Sequence, residues 1–162
     1  MSAQDWISKL SLTRHPEGGY YCQSFVSDEE VHPDSQTGAR RLYTSIYFLL
    51  ESGDVSRFHR LKSDELWYYH IGSSLTIHTI DSAGSYEAKK LGLNLEDGER
   101  PQVLIKAGTI FGATIDEDNA FSLVGCMVAP GFVFEDFELF ERRQLLEAYG
   151  QHESIIRRLT KE

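Results

Sequence analysis

The chain has 162 residues, 41% hydrophobic and 25% charged, enough for one domain whose core needs no disulfide or metal staple. Its 16 basic and 25 acidic residues leave a formal charge of −9, which excludes nucleic acid and anionic membrane as electrostatic partners, because their phosphates need a basic footprint. The pairs Arg40-Arg41, Lys89-Lys90 and Arg142-Arg143 are scattered and form no stripe.

The opening MSAQDWISKL lacks the basic start and apolar run of a secretory signal, and no stretch approaches the roughly 18 apolar residues of a membrane span. A cytoplasmic chain is therefore expected, with Cys22 and Cys126 as reduced thiols outside any C-x-x-C motif. Trp6, Ile7 and Leu10 recur at helical spacing, with Ser2 as the cap of a short first helix. HPEGGYY breaks it: Pro16 bars His15 from helix, and Gly18-Gly19 permits positive φ. This loop reads as a backbone turn, with Glu17 and Tyr20 left open as ligand-facing groups. YYCQSFV reads as a strand, and SDEEVHPDSQTG as a polar loop.

From Arg40 onward the chain is rich in β-branched and aromatic residues. RRLYTSIYFLL, VSRFHRL, ELWYYHIG, SLTIHTI, SYEAKKLGL, PQVLIKAG, TIFGATI and FSLVGCMVAP are short and separated by turn signals. Such spacing predicts an all-β sandwich or barrel, not alternating βα units. At the end, FEDFELFERRQLLEAYG and ESIIRRLTKE predict two short helices over about 136–160, with Asp136 as a helix cap. Cys126, in the apolar LVGCMV, is expected to be buried and inert, and Asp116-Glu117-Asp118 to be a solvated loop.

The stretch GDVSRFHRLKSDELWYYHIG, residues 53–72, carries the pattern G-x5-H-x-L-x3-E-x6-G on Gly53, His59, Leu61, Glu65 and Gly72. It resembles the first motif of the cupin superfamily, in which a second histidine stands where Leu61 does. KAGTIF occupies the place of the second cupin motif, P-x-G-x-x-H, so that Lys106 replaces its proline and Phe111 its histidine. Together with HPEGGYY, GERPQVLIKAGT and SLVGCMVAPGFVFEDFEL, these motifs resemble one small cupin family catalogued as a domain of unknown function (DUF985-like), over about residues 10–140. The resemblance implies a cupin double-stranded β-helix, an RmlC-like jelly-roll barrel with short N- and C-terminal helices. It implies a single domain over residues 1–162 with the barrel over about 40–130, and a homodimer.

In cupins the histidine and glutamate of the first motif point into the barrel. Period-two alternation then places Arg57, His59 and Leu61, and on the next strand Glu65, Trp67, Tyr69 and Ile71, inside. Phe58, Arg60, Tyr68 and His70 fall on the opposite faces, and His78 has no assigned register. Metal-binding cupins use three histidines and one glutamate, of which matched positions keep only His59 and Glu65. Catalytic sites usually need three protein ligands, so no metal site is expected, and no other cofactor. A metal-free site would use His59 as base, Glu65 as its partner and Tyr69 as acid. Arg57 would clamp an anionic group, with Tyr47, Trp67, Phe111 and Tyr20 as substrate contacts. Three readings stand: a metal-independent isomerase or epimerase for a sugar-like or nucleotide-linked small molecule, a non-catalytic binding or storage cupin, and a metal-dependent cupin. The bland account of each residue stays beside them: His59 satisfied by Glu65 in the core, Arg57 bridging to a carboxylate, and Trp67, Tyr69 and Phe111 as packing.

Overall fold

A computed structural model describes residues 1–161. In chain order the elements are α1 (Ala3–Lys9), β1 (Thr13–Arg14), β2 (Tyr20–Val26), β3 (Glu30–Val31), β4 (Arg40–Arg41), β5 (Thr44–Glu51), β6 (Val55–Arg60) and β7 (Asp64–Gly72). They continue as β8 (Leu75–Ile80), β9 (Tyr86–Leu91), β10 (Gln102–Ile105), β11 (Ile110–Thr114), β12 (Phe121–Ala129), β13 (Glu138–Leu139), α2 (Arg142–Tyr149) and α3 (Glu153–Arg158).

Two antiparallel sheets face each other, ordered β1-β2-β5-β12-β7-β10 and β13-β6-β11-β8-β9, with β3-β4 as a separate small ribbon. Their inner faces meet in one core that includes Phe48, Leu50, Trp67, Leu75, Ile77, Phe111, Val124, Cys126 and Val128. This is the jelly roll expected from many short strands with regular turns. It begins earlier than residue 40, because β1 and β2 extend the first sheet through pairing of β2 with β5.

Both sheets are covered on the outside as well. Under α1, Ile7 and Leu12 pack on Leu49 and Leu123 of the first sheet, with Tyr20, Cys22 and Tyr47 beside them. α1 starts as expected, with the Ser2 hydroxyl accepting from the Asp5 N–H and the Asp5 carboxylate accepting from the Ser2 N–H. Over the second sheet, Leu145, Ile156 and Leu159 close on Phe58, Ile80 and Ile110.

The C-terminal helices are shorter than expected. Phe134–Asp136 forms one 3-10 turn, β13 then pairs with β6, and α2 begins only at Arg142. Phe137 turns into the barrel core while Phe140 joins the helical layer, so no single helical face could serve both. Asp136 does not cap a helix. It is buried in a two-pronged ion pair, with Arg40 Nε and Nη2 each 2.8 Å from a carboxylate oxygen. Among the described residues, no helix is long and apolar enough to cross a membrane.

Candidate functional site

The HPEGGYY loop crosses the barrel wall. Gly18 and Gly19 have φ of +112° and +73°, and a Cβ on Gly18 would sit 2.0 Å from the Val55 carbonyl oxygen. Only glycine allows so close a crossing of β6. The Asp54 carboxylate accepts from the Gly19 N–H at 3.1 Å and from Arg14 at 2.7 Å. The Arg57 N–H donates to the Glu17 carbonyl at 2.8 Å, and its guanidinium donates to the carbonyls of Glu17 and Pro16. The loop so pinned delivers the Glu17 side chain into the barrel, where it is 5% exposed.

β6 meets it through a bulge. Ser56 pairs with Ala113 and His59 with Phe111, so Arg57 and Phe58 together face Gly112 alone. A Cβ at position 112 would lie 2.5 Å from the Ser56 carbonyl oxygen, which explains a glycine inside a fully buried strand. The extra residue lets Ser56 and His59, three apart, both reach Glu17. The Ser56 hydroxyl donates to Glu17 Oε1 at 2.9 Å, and His59 Nε2 lies 3.0 Å from Glu17 Oε2.

The two ring nitrogens of His59 are both engaged, Nδ1 donating to the Arg57 carbonyl at 2.7 Å. Burial disfavours the imidazolium, but the charge and hydrogen bond of Glu17, then Glu65 and the Arg57 carbonyl, outweigh it and raise the His59 pKa. Burial likewise pushes Glu17 up, and the His59 charge and hydrogen bond, with help from His15 and Ser56, bring it below the usual range. Glu17 and His59 thus form a buried carboxylate–imidazolium pair. His15 stays neutral, held below its ordinary pKa by burial, and its Nδ1 accepts from the Glu17 N–H at 3.2 Å. Its 3.6 Å approach to Glu17 Oε2 is therefore not an ion pair.

Glu65 is the opposite case. Burial, reinforced by the Glu17 charge and only partly offset by His59, lifts its pKa to about 8. It is a neutral carboxylic acid at pH 7. Glu65 Oε2 and Trp67 Nε1 are buried, and among the described residues neither has a hydrogen-bond partner of normal geometry. Native buried polar groups rarely stay unpaired. A cavity of about 50 Å³ lies between these groups, lined by Glu17, His59, Glu65 and Trp67 and by apolar side chains such as Ile46 and Val128. Phe132 and Phe137 close one side, their rings 6.1 Å apart.

Of the residues expected from sequence, the structure brings His59, Glu65 and Trp67 to this cavity, with Phe111 packed behind the His59 ring at 4.1 Å. His59 Nε2 goes to Glu17 rather than to Glu65. Arg57 does not enter: the bulge turns it out of the inward phase, and its donors hold the Pro16–Glu17 backbone, so it clamps a loop and not an anion. Tyr69 borders the core, but its hydroxyl donates to the Gly72 carbonyl at the strand's far end and cannot serve as an acid in this cavity. Tyr20 and Tyr47 lie on the α1 side of their sheet, and their neighbours Tyr21, Ile46 and Phe48 line the cavity instead. Sequence reasoning left Glu17 open and overlooked His15 and Tyr21; the signal was the double glycine, which marks a close backbone crossing as well as a turn. The N-terminal segment reaches into the barrel of its own chain.

The donors do not suit the metal that cupins often carry. Leu61 and Phe111 stand at two of the four ligand positions, and both His59 nitrogens are committed to protein partners. Among the described residues, no three His, Cys, Asp or Glu side chains are grouped to hold an ion. His70 lies outside, against Tyr47, and His78 bonds Tyr86 and Thr114 beyond the cavity lining.

Comparison with known proteins fits this architecture. The crystal structure of a protein from Shewanella oneidensis is 48% identical, with a TM-score of 0.92 over 99% of this chain and 98% of that one. A hypothetical protein from Leishmania major is 38% identical, with a TM-score of 0.95 and full coverage of both chains. Oxalate decarboxylase from Bacillus subtilis superposes with a TM-score of 0.58 at 15% identity, over 92% of this chain and 38% of the other, a likeness of fold alone. A search among curated proteins returned no match. The family model described as "Cupin superfamily (DUF985)" matches residues 4–140, and the chain belongs to that family.

Proposed function

We propose that the chain is a metal-independent acid–base enzyme that isomerises or epimerises a small hydroxy-carbonyl compound of the sugar-like kind. The observation that carries this reading is the pair of carboxyl groups lining one cavity with opposite protonation: Glu17 ionised beside His59, and Glu65 held neutral with a pKa of about 8 and an unpartnered Oε2. Two carboxyls whose surroundings drive their pKa values apart are suited to the roles of base and acid.

In this reading Glu17 removes the proton from the carbon that bears the hydroxyl, while Glu65 gives its proton to the neighbouring carbonyl oxygen, producing an enediol. Glu17 then gives its proton to the former carbonyl carbon while Glu65 takes up the proton of the other hydroxyl, which yields the isomer. Return of the proton to its original carbon on the other face, once the enediol has turned over, with Glu65 recovering its own proton, yields the epimer, and no redox partner is needed. His59 keeps Glu17 ionised and in place, and Ser56 fixes its second oxygen. The base role thus passes from His59 to Glu17 because His59 has no free nitrogen.

The test is solvent-deuterium incorporation, followed by proton NMR, with glyceraldehyde, dihydroxyacetone, pentoses and hexoses. The wild type should exchange the C–H beside the carbonyl of at least one member, and Glu65→Gln should slow it about 100- to 10,000-fold, the usual weight of a general acid. The rate should fall as pH rises through about 8, where Glu65 loses its proton. Thermal stabilisation by a member without exchange would replace the catalytic reading with a binding or storage role.

A further inference from the structure

Outside the cavity, a surface groove of about 650 Å³ is lined by Ser35, Arg60, Lys62, Gly108, Glu135 and Glu138, among others. Leu61 and Phe137 line both spaces. They therefore stand between a partly enclosed chamber for a few atoms and an open one within the usual size of ligand pockets, about 300–1,000 Å³. The partition is built to be stable. Arg40 holds Asp136, the residue before Phe137, and Phe137 packs edge-on against Phe132 and Phe134.

We infer that the ligand site has two compartments, the inner one for the reacting head and the groove for an uncharged, hydroxyl-rich remainder, with Leu61 and Phe137 as the threshold. This rests on the reading of the inner cavity as a ligand site and extends it to the rest of the substrate. The charge of the groove supplies the class. Arg60 is bonded to Glu138 at 2.7 Å and Asp136 to Arg40, which leaves Lys62 and Glu135 as opposite charges that offset each other. A diphosphate would find no surplus of cations there, since the arginines already have carboxylates. A chain of hydroxyls, which both donates and accepts, suits a lining of matched charges. The substrate is a polyol-like chain or a neutrally substituted sugar, not a nucleotide-linked one.

The experiment needs no turnover, so it can fail separately from the acid–base reading. Cys126 lines the inner cavity, and Cys22 lies on the other face of the sheet under α1. In a Cys22→Ser background, Cys126 is labelled with 2-sulfonatoethyl and with 2-aminoethyl methanethiosulfonate, each rate normalised to that of a free thiol and read by mass spectrometry. The thiolate displaces methanesulfinate and forms the mixed disulfide. The two normalised rates should agree within about threefold, as a groove of balanced charge requires. Lys62→Glu should lower the anionic-to-cationic ratio and Glu135→Lys should raise it, each by about three- to tenfold, the effect of one charge reversal beside a partly screened path. Phe137→Ala should accelerate both reagents about tenfold or more, whereas Leu50→Ala, a core truncation outside the cavity lining, should change them far less, because local opening is set where contacts are lost.

A ratio indifferent to both charge reversals, or equal acceleration by Leu50→Ala, overturns the threshold. Pentoses or hexoses should protect Cys126 from the reagents. Stronger protection by a nucleoside-diphosphate sugar, a parent ratio strongly favouring the anionic reagent, or no protection by any sugar overturns the ligand class.

Discussion

Glu65 and Glu17 have the same side chain and share one cavity, yet only one is charged. The difference lies in what each touches. Glu17 has an imidazolium at 3.0 Å and a hydroxyl at 2.9 Å, which replace the water it lost. Glu65 has neighbours such as Trp67 and Cys126, and one oxygen without a partner, so desolvation wins. The buried thiol of Cys126 is itself driven well above its ordinary pKa, first by burial and then by the charges of Glu65 and Glu17. A carboxyl whose folded pKa of about 8 lies above its ordinary 4.5 weakens the fold as pH rises between those values, because the unfolded chain releases the proton and the folded one keeps it. Each unit of pH in that window costs about 1.4 kcal/mol from this group at the limit of full burial. His78 acts in the opposite sense: burial lowers its pKa to about 4, so its contribution is lost as pH falls from 6.5 toward 4, and it is silent above. Between pH 6.5 and 8 His78 is silent, and His59, whose pKa is raised, loses stability in the same direction in both proteins compared. There Glu65→Gln, neutral at every pH, should show a flatter fall of unfolding free energy than the wild type in urea titrations. Parallel slopes would mean that Glu65 is already ionised at neutral pH.

Strand phase decided which residues the sequence could place. On β7 the alternation of Glu65 and Trp67 into the cavity was legible, since the first cupin motif fixes the phase; the alternating neighbours Leu66 and Tyr68 are accordingly more exposed. On β2 and β5 it was not. Both faces of that sheet are covered, one by the opposing sheet and one by α1, so the run IYFLL at 46–50 is hydrophobic throughout and carries no phase. Tyr20 and Tyr47 were each placed one residue out for that reason. On β6 the phase changes within the strand, and the mark of that change sits elsewhere in the chain, in Gly112 of β11. A lone glycine in a strand pattern marks a bulge or a close backbone approach, and here it marks both. Gly112→Ala should force the bulge to shift, since its Cβ would lie 2.5 Å from the Ser56 carbonyl oxygen and 3.2 Å from the Phe58 nitrogen. The expected loss is about 1–3 kcal/mol in urea unfolding, the usual price of overpacking. Ser56 and His59 can no longer both reach Glu17, so the His59 titration seen by NMR should move down toward the ordinary histidine value. Wild-type stability with an unshifted titration would show that the bulge tolerates the methyl group and that Gly112 is not what sets the phase.

At the scale of the molecule, the chain packs in three layers, and β6 joins two of them. β6 presents His59 to the barrel and Phe58 to the C-terminal helices, so the site and the helical layer share consecutive residues. The Phe58 N–H donates to the Leu159 carbonyl at 2.9 Å, and the Phe58 carbonyl accepts from the Phe140 N–H at 3.2 Å. Helices that look peripheral in sequence therefore hold the outward half of the bulge that aims His59 inward. The family match ends at residue 140, before α2 and α3, yet the packing carries their influence back to the first cupin motif. Leu159→Ala should leave a cavity behind Phe58 and cost about 2–5 kcal/mol, the range for a buried leucine. If the helical layer also positions the site, the looser bulge should weaken the Glu17–His59 contact, and the raised His59 pKa should fall. Stability linked to that pair would then be lost at a lower pH, since a group with a raised folded pKa contributes below its unfolded value and loses the contribution as pH rises through the folded one. Leu123→Ala is the comparison: Leu123 is 2% exposed on the opposite outer face, under α1, and has no bond to β6. It should cost a similar amount of stability and leave the His59 titration where it is. Equal shifts in both variants would reduce the effect to general loosening; a shift in Leu159→Ala alone would make the C-terminal layer a positioning element of the cavity.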